Sequence, residues 1–410
     1  MKIIHTLIIL SLATSIHAQT DDKIVLGKID SVYSTILGEQ RKIWVYVPNS
    51  NGSAILSKQT YPVLYLLDGD AHFYSVVGMI QQLSSVNGNT ICPEMIVVGI
   101  PNTDRTRDLT PTHVDVDPPF MDSNFSKNSG GGEKFISFIE KELMPHIDSL
   151  YPTQKYKMLV GHSFGGLTVI NTLVYHTNLF NAYVAIDPSM WWNNMKYLKA
   201  TKATLANKKF TNTRLYMGIA NTMEDGMTVS RVKKDTAALT RHIRSIFELG
   251  EFFKANANNG LIYQDKYYPK DDHSSVPLIA EYDALHFIFD YYPLKLSFKD
   301  YNDTSDAYPK KLEKHYDLVS KKMGYKVNPS ENYINGMGYE ALGNKQYKKA
   351  AYFFKMNVTN YPESFNVYDS LGDYYDAISD KTNAIDSYKK ALQLKDNPDT
   401  KTKLDKLLNK

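Results

Sequence analysis

Cysteine is nearly absent: Cys92 is the only one in 410 residues, so no intramolecular disulfide can form and the core alone must hold the fold. There is no H-E-x-x-H and no paired Cys-x-x-Cys, and the histidines are scattered, so neither a metal nor any other cofactor is expected. Excess charge is missing too. The formal balance is +3, without the concentrated basic face that nucleic-acid binding requires. Beyond the N-terminus there is no apolar run long enough to cross a bilayer, so no membrane span is expected.

The only long apolar run opens the chain. Met1-Lys2 leads into "IIHTLIILSLA" and then to a small residue at Ala18, the pattern of a secretory signal peptide, too short to span comfortably. Residues 1–18 are therefore expected to be a leader, with the mature chain starting near Gln19. No cysteine lies near that point, which argues against a lipid anchor. A secreted or periplasmic bacterial protein is the expectation, consistent with a fold that needs no disulfide.

With 43% hydrophobic residues the chain can bury a substantial core, and its length suits two domains. From about residue 23 to 292, short β-prone runs alternate with amphipathic helices. "RKIWVYVP", "YPVLYLLDG", "EMIVVGIP", "YKMLVGHS", "FNAYVAIDP", "TRLYMGIA" and "GLIYQDKYY" each close on Gly, Pro, Asp, Asn or another turn former. "GEKFISFIEKELMPHIDSLY" places Phe135, Phe138, Ile139, Leu143 and Ile147 at helical spacing. The pattern predicts an α/β fold with a mostly parallel sheet covered by helices on both faces, over residues 19–295. The "LGEQ" turn predicts an antiparallel hairpin at one edge. The long polar segment 102–131, rich in Pro, Asp and Ser, reads either as a substrate-facing loop or as a disordered one.

Residues 296–330 read as a helical linker. Over 331–410 the chain repeats at a spacing of 34 residues, pairing Gly338 with Gly372, Ala350 with Ala384 and Phe354 with Tyr388. These positions resemble the tetratricopeptide repeat, in which small residues let two helices pack closely and an aromatic supports the next unit. Pro362 closes the first unit, whereas its counterpart is displaced to Pro398. Such an array suggests a protein partner or self-association.

The chemistry centres on "MLVGHSFGGLTVI", residues 158–170. In a strand-turn-helix of the form G-x-S-x-G the serine backbone is strained and the glycines remove side chains that would clash. Ser163 is then exposed as a nucleophile beside a helix N-terminus able to stabilise an oxyanion. It needs a base, and in this architecture the expected order is serine, acid, histidine. Five histidines follow Ser163. His176, His242 and His286 lie in helical stretches and His315 in the linker, leaving His273 in the polar loop "YYPKDDHSSVPL".

The acid should occupy a loop at a strand's C-terminal end. Glu224 is preferred, then Asp225, both in "LYMGIANTMEDGM", with Asp187 in "VAIDPSMWW" as a further candidate and a Ser-His dyad as another. The N–H groups of Phe164 and Asp70 are the expected oxyanion donors, Asp70 following the turn at Gly69. Trp191, Trp192 and Phe73 suggest aromatic pocket walls, and Arg105 and Arg107 suit an anionic group unless they merely pair with Asp104 and Asp108.

In order, the blocks "VLYLLDGDAHF", "GIPNTDRTRDLTPT", "GHSFGGL", "DPSMWW" and "DHSSVPL" resemble the putative-esterase branch of the α/β-hydrolases. That branch includes enterobactin and salmochelin esterases, esterase D and feruloyl esterases. The resemblance covers roughly residues 24–292 and implies Ser163 as nucleophile, His273 as base and a small-molecule ester as substrate. It leaves the acid open, since relatives differ there. It also admits acyl transfer to an alcohol or sugar, as in the mycolyltransferases of the same branch. A peptide-binding protein acting through its repeats is the reading from a different class.

Overall fold

The computed structural model describes residues 24–48, 59–115 and 125–409. The expected leader lies outside them, as do residues 116–124 of the long polar segment. Strands β1 (Lys28–Ser34), β2 (Glu39–Tyr46), β3 (Tyr61–Leu67), β4 (Ile96–Ile100), β5 (Thr153–His162), β6 (Ala182–Ile186), β7 (Arg214–Ala220) and β8 (Ile262–Tyr268) form one sheet. Their order is β1-β2-β4-β3-β5-β6-β7-β8. β1 and β2 make the expected edge hairpin, β2 meets β4 antiparallel, and every other neighbour is parallel.

β3, β4, β6 and β7 are buried along their whole length, as strands covered on both faces must be, while β1 shows the part-exposed pattern of an edge. The sheet is wrapped by α1 (Gly69–Ser84), α2 (Arg105–Leu109), α3 (Gly132–Phe138), α4 (Met144–Leu150), α5 (Phe164–Tyr175), α6 (Lys196–Leu205), α7 (Val229–Val232), α8 (Arg241–Ala255) and α9 (Val276–Ile288). One face packs Val77 and Ile80 of α1 and Ala284 and Ile288 of α9 on Leu64, Val160 and Val184. The other packs Phe135, Ile147, Leu167, Leu198 and Ile246 on Val63, Leu159 and Leu215.

The helix expected over "GEKFISFIEKELMPHIDSLY" is interrupted between α3 and α4 by a π-helical segment, Ile139–Leu143. Pro145 lacks an N–H and its ring opposes the carbonyl one turn back, so the wider π turn accommodates it.

Beyond the sheet come α10 (Phe298–Asn302), α11 (Ala307–Met323), α12 (Glu331–Gly343), α13 (Tyr347–Asn360), α14 (Phe365–Ala377), α15 (Lys381–Leu394) and α16 (Pro398–Leu408). The span expected as a linker is anchored at both ends of α11. Val319 and Met323 enter the core beneath α9, and Tyr308 and Leu312 pack with Ile334 and Phe353. The 34-residue periodicity has a steric cause. A Cβ on Gly338 would stand 2.7 Å from the Phe354 ring, and one on Gly372 would stand 2.5 Å from the Tyr388 ring. Each glycine thus lets an aromatic from the next helix lie flat on its backbone. The displaced Pro398 serves another end: it starts α16, where the missing N–H costs nothing and Asn397 caps the helix.

Candidate active site

β5 ends in the turn that carries the serine. Ser163 has φ 59° and ψ −114°, well outside helix or strand conformations. A Cβ on Gly161 would lie 2.4 Å from the Gly165 carbonyl carbon, so the strand and the helix can cross this closely only if residue 161 has no side chain. Leu167 N–H donates to the Ser163 carbonyl at 2.9 Å, making Ser163 the cap of α5. The N–H groups of Phe164, Gly165 and Gly166 therefore have no intrahelical acceptor, and they give the region beside Oγ a positive field.

His273 sits between β8 and α9. Its Nε2 is 3.2 Å from Ser163 Oγ, and its Nδ1 is 2.6 Å from Asp187 Oδ2. Asp187 follows β6 and is fully buried, with φ 42°. Its Oδ1 accepts from the Ala220 N–H at 3.0 Å, and its Oδ2 also meets His242 Nε2 at 2.7 Å. Burial by itself would raise this carboxyl, but the two imidazoles outweigh it and hold Asp187 well below the usual carboxylate range.

The expected acid is corrected by this geometry. Glu224 and Asp225 are exposed in the turn after β7, and the carboxylate that meets His273 is Asp187. Sheet order supplies the reason: β6 is the neighbour of β5, so the loop after β6 opens beside the serine, whereas β7 lies one strand further away. The β7 loop acts instead as a support for the histidine loop. Asn221 donates from its backbone N–H to the Asp271 carbonyl at 2.8 Å and from Nδ2 to the Pro269 carbonyl at 3.0 Å.

His242, expected within a helical stretch, is the second residue of α8. Helices that connect parallel strands run antiparallel to them, so their first turns lie at the C-terminal edge where sites form. That position in the helix was the available signal. His162 is a second surprise. Its ring lies 4.5 Å from that of His273 and 5.9 Å from that of His72. Burial, reinforced by those two neighbours, pushes its pKa down to about 3, so it is a neutral ring packed against that of His273.

Asp68, with φ 50°, turns the chain from β3 into α1. Its carbonyl accepts from Ala71 and His72, which leaves the Asp70 N–H in the unpaired first turn. Its carboxylate takes Arg105 through Nε at 2.6 Å and Nη2 at 3.0 Å. Arg105 thus pairs with Asp68 rather than Asp104, while Arg107 joins Glu39 and Asp108. A cavity of about 330 Å³ opens above the serine, lined by Arg105, Ser163, Phe164, Ser189, Trp191, Leu239, Arg241, His242 and His273.

Two expected pocket walls are core residues instead. Trp192 is fully buried and donates through Nε1 to Thr112 Oγ1 at 3.0 Å. Phe73 packs edge-on against Trp44 with ring centroids 5.7 Å apart. Of two adjacent tryptophans, the turn after β6 can aim only one at the cavity, and it aims Trp191. Phe73 occupies the face of α1 that covers the sheet, so it turns inward.

Comparison with known proteins agrees with this architecture. The family model described as putative esterase matches residues 34–250. A solved IroE-like serine hydrolase from Shewanella oneidensis is 30% identical, with a TM-score of 0.66 over 81% of this chain and 98% of that one. The siderophore enterobactin esterase of Emericella nidulans is 29% identical over 42% of this chain and 59% of its own length. The ferri-bacillibactin esterase BesA of Bacillus subtilis is 29% identical over 46% of this chain and 69% of its own length. The chain spans about half to two thirds of the length of these curated relatives. With the family match covering more than half of the chain and the sheet, elbow and loop order in agreement, the protein belongs to the putative esterase family of the α/β-hydrolases.

Proposed function

We propose that this protein is an exported serine esterase in which Ser163 is the nucleophile, His273 the general base and Asp187 the carboxylate that orients it. The observation that carries the reading is the continuous line from Ser163 Oγ to His273 Nε2, and from His273 Nδ1 to Asp187 Oδ2, on the wall of a cavity large enough for an ester.

As Oγ attacks the ester carbonyl, Nε2 takes its proton, and Asp187 stabilises the imidazolium that forms. The N–H groups of Phe164 and Asp70 stand at unpaired helix starts, where they can receive the developing oxyanion. The imidazolium then protonates the leaving alcohol. Water, activated by the same Nε2, releases the acyl group and restores Ser163. Export rests on the N-terminal leader pattern. The relatives named as enterobactin and bacillibactin esterases support a siderophore ester as substrate, and Trp191 with Arg241 suits an aromatic, anionic group, Arg105 being neutralised by Asp68.

The test is hydrolysis of enterobactin and of a short-chain p-nitrophenyl ester by the full chain, beside Ser163→Ala and His273→Ala. Each variant should lose roughly four or more orders of magnitude in turnover. Full activity in Ser163→Ala overturns the nucleophile, and hydrolysis of the p-nitrophenyl ester without enterobactin overturns the substrate class.

A further inference from the structure

A carboxylate that orients one catalytic imidazole needs no second one, yet Asp187 Oδ2 meets both His273 Nδ1 at 2.6 Å and His242 Nε2 at 2.7 Å. Among the described residues this is the one place where three such side chains bring ligand atoms within 4.8 Å of one another. Both imidazoles also line the cavity above the serine, so a small ion can reach them from solvent. We propose that Asp187, His242 and His273 form a site for a divalent cation of the zinc type, whose occupation switches off the serine.

Two imidazoles and one carboxylate are a donor set for zinc rather than for calcium or magnesium, which favour oxygen. Zinc bonds of about 2.0–2.1 Å at tetrahedral angles place ligand atoms about 3.3 Å apart, so each nitrogen has to withdraw by roughly 0.6 Å. Both can move: His273 is on a loop and His242 on the first turn of a helix. A water from the cavity supplies the fourth ligand. Nearby charge tempers the affinity, because Arg241 lines the same cavity, while Arg105 is neutralised by Asp68.

Inhibition follows from tautomer chemistry. A neutral imidazole carries one proton, and metal on His273 Nδ1 confines it to Nε2. Nε2 is the atom 3.2 Å from Ser163 Oγ, so it would then donate to the serine and have no lone pair to take the seryl proton. In the same way His242 keeps its proton on Nδ1. The site rests on geometry, whereas its inhibitory effect rests on the catalytic reading above.

The experiment is equilibrium dialysis of the chelator-treated full chain against zinc, with cobalt absorption to read the geometry, beside His242→Gln. The glutamine keeps a donor toward Asp187 but is a poor ligand, and matching thermal unfolding would certify its fold. Wild type should hold a zinc that His242→Gln binds roughly tenfold or more weakly, and cobalt should give a tetrahedral spectrum. In parallel, zinc should suppress p-nitrophenyl ester hydrolysis by wild type, EDTA should restore it, and magnesium should have no effect. His242→Gln should need roughly tenfold more zinc. Equal zinc affinity in the two proteins overturns the site. Zinc bound there without loss of activity overturns the inhibition alone, and absence of any esterase activity strikes the functional reading while dialysis still decides the site.

Discussion

Asp187 and Glu281 are both buried carboxyl groups, one just past the C-terminal end of β6 and the other on α9 against one face of the sheet, and they are shifted in opposite directions. Asp187 has a backbone N–H on one oxygen and two imidazoles on the other. Glu281, on α9, faces Leu64, Val160 and Val184, its Oε2 has no hydrogen-bond partner, and burial pushes its pKa up to about 8. Loss of hydration is common to both, so the donors account for the difference. A buried carboxyl without donors stays neutral, whereas one with three keeps its charge and can steer a base.

The opposite shifts bound the stability of the protein from both sides. The carboxyl of Asp187 is depressed, so its contribution is present above the ordinary carboxylate range and is lost as pH falls through the lower folded value. Glu281 is raised, so its contribution is complete below its ordinary value of 4.5 and is lost as pH rises toward about 8.

The sharpest way to break the comparison is to remove the charge at Asp187. Asp187→Asn should leave the fold in place but lower esterase turnover by roughly two to four orders of magnitude, because the amide no longer enforces the tautomer with a free Nε2. Steady-state kinetics of ester hydrolysis would check this, and near-normal turnover would make the pair Ser163 and His273 sufficient. At Glu281 the change is in stability and not in chemistry. Glu281→Gln should gain on the wild type as pH rises from 5 to 8, by on the order of 4 kcal/mol at most, read by thermal or denaturant unfolding across that range. An unchanged pH slope would mean that Glu281 is solvated or paired. The smallest effect is expected at Glu224, exposed after β7. Glu224→Gln should stay within about twofold of wild-type turnover, close to the effect of an ordinary surface change.

The parts legible in the chain are those governed by neighbours in sequence. Gly161 and Gly165 announce the elbow because the clash they avoid lies within five residues, and Gly338 with Phe354 announces its helix pair because the contact falls one helix away. Loop order and elimination single out His273 as the histidine to expect near Ser163, and its Nε2 lies 3.2 Å from Oγ. Asp187 is only one of three candidate carboxylates in the chain, and neither the place of His242 nor the division of labour between Trp191 and Trp192 is legible there, since each depends on which loops end up side by side. The order β5-β6-β7-β8 puts the β6 loop beside the serine, and periodicity along a chain carries no record of lateral position in a sheet.

Local sterics and hydrophobic period therefore determined, from the sequence by itself, a doubly covered sheet, a strained serine and a helical tail. Only the tertiary structure decided which carboxylate meets His273, and that a second imidazole reaches the same oxygen. The physical reason is that a hydrogen bond of 2.6 Å between residues 86 positions apart depends on the packing of the whole sheet, whereas a turn depends only on its own backbone.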